Sequence, residues 1–544
     1  MEESIMARER LYLFDTTLRD GAQTQGVDFS VEDKATIARA LDALGIDYIE
    51  GGWPGANPGD TAFFADPPKL KRATLTAFGM TKRPGRSVAN DPGLQEILGA
   101  KTPAVCIVGK SSEFQVNVAL GISLEENREL ISESIAEIVR QGREAMYDAE
   151  HFFDGYKANP DYTLSCLKAA ADAGARWVVL CDTNGGTLPD EVERIVGEVV
   201  KHIPGEKLGI HCHNDTENAV ANTLMAVKAG VRQVQGTLNG LGERCGNANI
   251  ISLIPSLVLK EPFRSLVDTG ITEENLKHLT PVSRLLDEIL NRAPNRHQPY
   301  VGAAAFTHKG GLHVSAVEKD PRTYEHIAPE IVGNQRHLPV SNQAGRSNII
   351  AQLRDFGLEI DPKDPKVDRL LEEVKEREFD GFSYDTALAS FELMARRRLG
   401  QLPKYFDVES FRVQVERRYN AKGQLLTVSD AVVKLLIDGE RIMSVGEGNG
   451  PVNALDGALR KDLGRYSQYI DGLRLADFKV RILTSGTEAV TRVLIESIDE
   501  ENNRWFTVGV SPNIVDASFA ALLDSITYKL LRSGAPAGGK PARS

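Results

Sequence analysis

Between residues 11 and 260 the chain alternates, eight times over, a short β-branched or apolar run with an amphipathic stretch of helical length. The runs occupy residues 11–18, 48–54, 73–80, 104–110, 144–153, 177–184, 208–215 and 233–240. Helical patterns lie between them at 31–44, 124–140, 164–173, 189–203 and 217–229, several closed by the Ala-Gly or Leu-Gly that stops a helix. Eight βα units in this length predict an α/β fold of the (β/α)8 TIM-barrel type. An open doubly wound sheet is the alternative, but no GxGxxG turn follows the first run.

A barrel accounts for about half of the 544 residues, so further domains must follow. The rhythm stops after residue 260. Residues 302–316 read as a loop rich in Gly, Ala and His, and 347–399 as charged helix punctuated by Pro362 and Pro365. From about Phe406 an internal repeat appears: Val445-Gly446, Val452-Asn453-Ala454 and Ala458-Leu459 recur 63 residues later as Val508-Gly509, Val515-Asp516-Ala517 and Ala521-Leu522. Alternating runs precede each copy, which predicts a duplicated β-rich unit ending in a helix. The expected division is a barrel over 8–275, mostly helical linker subdomains over 276–404, a duplicated α+β domain over 405–533 and a flexible tail over 534–544.

Composition excludes several classes. With 42% hydrophobic and 26% charged residues the chain is globular, and a net charge of −12 argues against nucleic-acid binding. No run of about 18 apolar residues suits a bilayer, and the N-terminus has no apolar stretch before a cleavage site, so the expectation is a cytoplasmic protein with no membrane partner. Five scattered cysteines without CxxC spacing read as reduced, mostly buried thiols.

In a barrel the C-terminal ends of the strands gather at one face, where active sites lie. Polar residues sit at those ends here: Arg19, Asp20, Glu150, Asp182 to Asn184, His211, His213 and Asn239. His211-Cys212-His213 is the sharpest signal, because residues i and i+2 of a strand share a face, so both imidazoles point into the barrel mouth. Such a pair also occurs as hydrogen-bonded structural histidines, and the other ligands decide. Asp20 after the first strand and Asn247 after the eighth can add a carboxylate and a carbonyl oxygen, since those strands adjoin when the barrel closes. One anion and no thiolate leave Mn²⁺, Mg²⁺, Co²⁺ and Zn²⁺ all open. Cys212 points away from the pair and reads as core. His308 reads as exposed and idle, and the run Asp499-Glu500-Glu501 as a solvated turn.

The motifs Asp15-Thr16-Thr17-Leu18-Arg19-Asp20-Gly21-Ala22-Gln23, His211 to Asp215 and Asn239 to Asn249, with Gly446 to Pro451 near the C-terminus, resemble those of the acyl-CoA-condensing synthases. That family includes 2-isopropylmalate, homocitrate and citramalate synthases, with 3-hydroxy-3-methylglutaryl-CoA lyases as barrel relatives. The resemblance spans nearly the whole chain, and residues 48–59, 147–160 and 181–186 look most like the citramalate branch. It implies a metal-dependent Claisen condensation of acetyl-CoA with pyruvate, followed by thioester hydrolysis and serving isoleucine synthesis. A larger 2-oxo acid, or an amino-acid-sensing module on an inactive barrel, are the alternatives. It implies Asp20, His211, His213 and Asn247 as metal ligands, Arg19 against the 2-oxo acid carbonyl, Thr183 on the substrate carboxylate, and Glu150 as an acidic residue at the end of the fifth strand. His313 and Tyr324 would take part in proton transfer, reaching a partner subunit's barrel. The C-terminal domain would make a homodimer and bind an amino-acid effector, isoleucine.

Overall fold

The computed structural model describes residues 8–336, 345–484 and 489–538. Eight parallel strands close into a barrel: β1 (Tyr12–Asp15), β2 (Tyr48–Glu50), β3 (Thr74–Met80), β4 (Ala104–Lys110), β5 (Glu144–Glu150), β6 (Trp177–Asp182), β7 (Leu208–Cys212) and β8 (Gln233–Gly236). Each falls within one of the runs read from the sequence. Closure is made where β8 pairs with β1, from Tyr12 opposite Gln233 to Asp15 opposite Gly236. Glu9–Arg10 and Val267–Asp268 form a short parallel pair outside the barrel.

The helices form where capping and periodicity agree. Ser30 caps Val31–Leu44 in a reciprocal box with Asp33, and Gly45, at φ 101°, ends it. The buried stripe of that helix is Lys34, Ile37, Ala38, Leu41 and Leu44, so a lysine occupies a core position. Inside the barrel, Phe14, Tyr48, Phe78, Cys106, Met146, Trp177 and Val179 fill the interior. Trp177 Nε1 donates to the Tyr48 hydroxyl at 3.3 Å, and Tyr48 donates to Glu144 at 2.7 Å, so neither polar tip is stranded.

The chain divides into two compact units, one of residues 8–306 with 327–336, the other of 307–326 with the C-terminal remainder. The barrel unit thus runs past residue 275, because the helix Leu279–Ile289 buries Leu279, Val282 and Leu286 in the barrel's outer core. Asn239 holds the same helix by donating to the Ser283 carbonyl at 3.0 Å.

In the second unit, part of the segment read as loop is helical, over Gly311–Lys319. The helices Arg346–Asp355, Pro365–Phe379 and Leu388–Leu399 pack around Phe391, Leu370, Val374 and Tyr384. The repeat is two copies of three antiparallel strands and a helix. These are β9 (Asp407–Tyr419), β10 (Leu425–Ile437), β11 (Glu440–Gly448) and the helix Pro451–Lys461, then β12 (Arg474–Ile482), β13 (Thr491–Ile498), β14 (Arg504–Ser511) and the helix Ile514–Arg532. The first strand of each copy carries one register shift, at Val408/Ser410 and at Leu475/Asp477. Gly446 and Gly509 hold equivalent places: a Cβ on either would lie 2.4 Å from the Ala454 carbonyl oxygen or 1.9 Å from that of Ala517, so the strand touches its helix there.

Two expectations change. Residues 534–538 are not loose: Tyr466 donates to the Pro536 carbonyl at 3.0 Å and Gly538 N donates to Lys404 O at 2.7 Å, while 539–544 of the expected tail lie outside the described residues. Asp499 is buried rather than solvated, accepting from Glu501 N, Asn503 N and Lys529. Among the described residues no helix is long and apolar enough to cross a membrane.

Candidate active site

A cavity of about 340 Å³ opens at the C-terminal ends of the barrel strands, with Arg19, Asp20, Phe78, Asp148, Glu150, Thr183, His211 and His213 on its walls. The turn after β1 explains how Arg19 and Asp20 reach it. Asp15 accepts from Thr17 N and Thr17 Oγ1, both at 2.9 Å, and burial pushes its carboxyl up to about 7. Thr17 Oγ1 in turn accepts from Leu238 N at 2.8 Å, tying the first loop to the eighth. Asp20 N donates to Thr16 Oγ1 at 3.2 Å and Thr16 donates to Glu50 Oε2 at 2.5 Å. Glu50 also accepts from Arg19 Nε at 2.7 Å, and the guanidinium lies 3.8 Å from the centre of the Phe78 ring.

Both imidazoles aim at Asp20. His211 Nε2 is 3.2 Å and His213 Nε2 3.7 Å from Asp20 Oδ2, and the two nitrogens are 3.4 Å apart. Burial opposes ionisation of Asp20, yet Arg19 and the two histidines hold it well below the usual carboxylate range. Burial likewise disfavours the charged form of both imidazoles; Asp20 nevertheless lifts His211, while His213, beside it, falls to about 4.

The donor set fits a divalent cation. His211 Nδ1 is 2.9 Å from Gln235 Oε1, an acceptor, so that nitrogen carries the proton and Nε2 offers its lone pair in the neutral ring. Gln235 is oriented by donating to Asp148 at 3.3 Å and Gln233 at 3.4 Å. Asn247 lies beside His213 through a backbone bridge, and its Nδ2 donates to Leu241 O at 3.1 Å. Its Oδ1 is buried without a partner, as a ligand oxygen facing a cation site would be.

The other expected residues divide by unit. Thr183 lines the cavity, and its hydroxyl accepts from His151 N at 2.8 Å, which leaves its own proton to donate elsewhere. Glu150 also lines it and is ion-paired with Lys110, while His151 Nε2 stands 3.8 Å away. In the second unit His313 and Tyr324 are exposed and stack at 4.1 Å between ring centres. His308 is not idle: its side chain is 11% exposed and Nε2 is 3.1 Å from Glu325 Oε1. Cys212 is buried away from the pair, and Cys245 is the exposed member of five free thiols.

Residues 10–285 match the HMGL-like family, 300–379 the homocitrate synthase post-HMGL domain-like family, and 386–530 the LeuA allosteric (dimerisation) domain. The (R)-citramalate synthase of Aquifex aeolicus is 50% identical over 528 residues, 96% of this chain and 98% of the relative. That of Geobacter sulfurreducens is 51% identical, over 97% of this chain and 99% of the relative. The chain belongs to the (R)-citramalate synthase family. A probable 2-isopropylmalate synthase of Methanopyrus kandleri is more distant, at 32% identity over 95% of this chain and 98% of the relative.

Several residues that shape this cavity escaped the sequence reading. Lys34 Nζ donates to Leu18 O at 2.8 Å and Gly51 O at 2.9 Å and pairs with Asp60, whose other oxygen accepts from Trp53 N at 2.8 Å. One buried ammonium therefore joins the carbonyl before Arg19 to the carbonyl after Glu50. The signal was present, since a lysine at a core position of an amphipathic helix needs buried acceptors. Arg244, at φ 56°, clasps Asp215 through Nε at 2.8 Å and Nη2 at 2.9 Å and donates to Thr183 O at 2.7 Å. Glu50 and Gln235 carry no motif of their own and become visible only when the strands are side by side.

Proposed function

We propose that this barrel joins acetyl-CoA to pyruvate and, with water, releases (R)-citramalate and CoA, as an acyltransferase dependent on a divalent metal. The observation that carries the reading is the convergence of Asp20, His211 and His213 on one point beside the Arg19 guanidinium. It stands in a chain 50% identical to an (R)-citramalate synthase over nearly its full length.

Asp20, His211, His213 and Asn247 would hold the metal. Bound there, the ion supplies Lewis-acid polarisation of the 2-oxo acid's ketone. The chain's own groups do the rest. The Arg19 guanidinium, fixed by Glu50 and Phe78, stabilises negative charge that develops on the former ketone oxygen. Thr183 donates its hydroxyl proton to the substrate carboxylate, which only accepts, while the hydroxyl oxygen accepts from His151 N–H. A base removes a proton from the acetyl methyl group, and the carbon that loses it forms the new bond to the ketone carbon. Glu150 and His313 are the candidates for that base, with Tyr324 stacked on His313. Glu150 already holds an ion pair with Lys110, which favours His313 as acceptor and Glu150 as a positioning group. The oxyanion then takes a proton, and water cleaves the thioester to a carboxylate and CoA thiol.

The same proposal makes the protein a cytoplasmic homodimer that uses the duplicated domain for assembly and for binding isoleucine. The match of residues 386–530 to the LeuA allosteric (dimerisation) domain supports that assignment. The test of the activity is thiol release from acetyl-CoA with a panel of pyruvate, 2-oxoisovalerate and 2-oxoglutarate. Pyruvate is expected to give the highest kcat/KM, and no release with pyruvate overturns the reading. Calorimetry on the full chain with isoleucine and leucine tests the effector: heat with isoleucine supports it, and none with either removes it.

A further inference from the structure

We infer that Asp385 is a positioning residue for the reaction: its ion pair with Lys309 fixes the segment bearing His308 and His313 to a turn seated on the sheet of the second repeat copy. The inference rests on the proposed part of His313 in proton transfer and adds what holds that imidazole in place.

The segment itself is lightly held. Lys309 directly precedes Gly310, the cap of the helix Gly311–Lys319, and His313 lies in the first turn of that helix. Val314 and Val317 are the helix's two buried residues, and Leu312, beside His313, is 86% exposed. On the other side of Lys309, His308 is fixed to Glu325 at 3.1 Å, and Tyr324 stacks on His313. Lys309 thus stands between the two histidines. Val314 N donates to Gly310 O at 3.0 Å, so a displacement of Lys309 passes into the turn that carries His313. The Lys309 ammonium reaches Asp385 Oδ2 at 3.0 Å.

Asp385, by contrast, is firmly set. The Ser383 hydroxyl donates to its Oδ1 at 2.8 Å. Burial opposes its ionisation, yet Ser383 and Lys309 hold the carboxyl below its ordinary value. Tyr384, next to it, is buried among the helices and donates to Met394 Sδ at 3.3 Å.

The turn over residues 380–387 is pinned in its turn to the second copy's sheet. Arg492 of β13 donates through Nε to Gly381 O. A Cβ on Gly381, at φ 111°, would lie 2.1 Å from Cδ1 of Leu483, the residue after β12, so that side chain rests on bare backbone. Ser390, in the helix that follows the turn, accepts from Val508 N of β14 at 3.0 Å and donates to Asp524 at 2.9 Å. A shift of β13 and β14 therefore carries Asp385, Lys309 and the first turn of the His313 helix together, which gives the duplicated domain a mechanical route to the chemistry. The Lys309 and Asp385 side chains are 45% and 30% exposed, and a pair this solvated adds little to folding, so what its removal changes is position.

The test combines thiol release from acetyl-CoA and pyruvate with hydrogen exchange, read by mass spectrometry on the full chain without substrate. In Lys309→Glu and in Asp385→Lys, kcat is expected to fall about tenfold or more, while KM for pyruvate, set by barrel residues, keeps its wild-type value. Amides of residues 308–320 should exchange faster in both singles at an unchanged urea midpoint. The double variant Lys309→Glu/Asp385→Lys, which rebuilds the pair with its charges reversed, should regain most of both losses. Arg492→Ala should show the same split between kcat and KM. Wild-type kcat and exchange in the singles would overturn the positioning role, as would a double variant no better than either single. Faster exchange with normal kcat would overturn it too, since the segment would then be held without bearing on the reaction. Faster exchange across the whole unit, or a lowered urea midpoint, would assign the pair to folding and overturn it. Normal kcat in Arg492→Ala would overturn the sheet's hold on the turn. A wild type that releases no thiol, or a His313→Ala protein with normal kcat, refutes the reading of the site; the exchange of the singles and the double variant still decides whether the pair holds the segment.

Discussion

Replacing Lys34 by methionine isolates the role of the buried ammonium beneath the substrate-facing arginine. The Lys34 and Asp60 side chains are 5% and 12% exposed, so the pair sits in a poorly solvated environment. Removing one partner of such a pair leaves an uncompensated charge and costs about 3–5 kcal/mol. Asp60 would keep only its bond from Trp53 N, and the carbonyls of Leu18 and Gly51 would lose their shared donor. Those carbonyls flank Arg19 and Glu50, so Arg19 should also drift; a misplacement of about 1 Å at a reacting group can lower kcat/KM about 100-fold. Lys34→Met, Asp60→Asn and the double variant would be unfolded in urea while tryptophan fluorescence is followed, Trp53 and Trp177 reporting the barrel. The double variant should lose less than the sum of the singles, by about 0.5–3 kcal/mol, and should still show depressed kcat/KM for pyruvate. A Lys34→Met protein within about 1 kcal/mol of wild type and with normal kcat/KM would refute the reasoning, because one partner of a pair this buried cannot be removed silently while the other stays charged.

His213→Ala should lose bound metal and activity together, and full metal stoichiometry by plasma emission after gel filtration would remove the ligand assignment. Gln235→Leu strips the acceptor that holds the His211 Nδ1 proton and should weaken metal affinity about 10–100-fold, measured by competition with a chromophoric chelator. Thr183→Val should raise KM for pyruvate about tenfold, the cost of one hydrogen bond to a charged group, while Thr183→Ser stays near wild type. Dialysis against a chelator should abolish thiol release and re-addition of a divalent ion restore it; activity surviving in metal-free buffer would exclude the Lewis-acid reading.

The barrel was legible because eight buried parallel strands leave eight apolar runs, and each observed strand lies inside one of them. The His211 and His213 pair was legible for a local reason, the two-residue period of a strand. What stayed hidden depends on contacts between distant segments. Glu50 reads as an ordinary acid at a strand end until Arg19, 31 residues away, is placed beside it. Gln235 sits in a buried strand and signals nothing until His211 is its neighbour. His308 was misjudged because a Gly-rich stretch suggests exposure, whereas Glu325 gives the ring a buried partner. Residues 534–538 were misjudged on composition, since Gly and Pro loosen a chain only where its carbonyls lack donors such as Tyr466.

Gly446 and Gly509 give one of the matched positions of the duplication a physical cause. At each, the strand lies so close to the following helix that a side chain would strike an alanine carbonyl, so the same residue is imposed twice for the same reason. Positions facing solvent are free to diverge between the copies. The two contacts act as fixed marks against which that drift is measured, and they keep the copies in phase over a span of 63 residues.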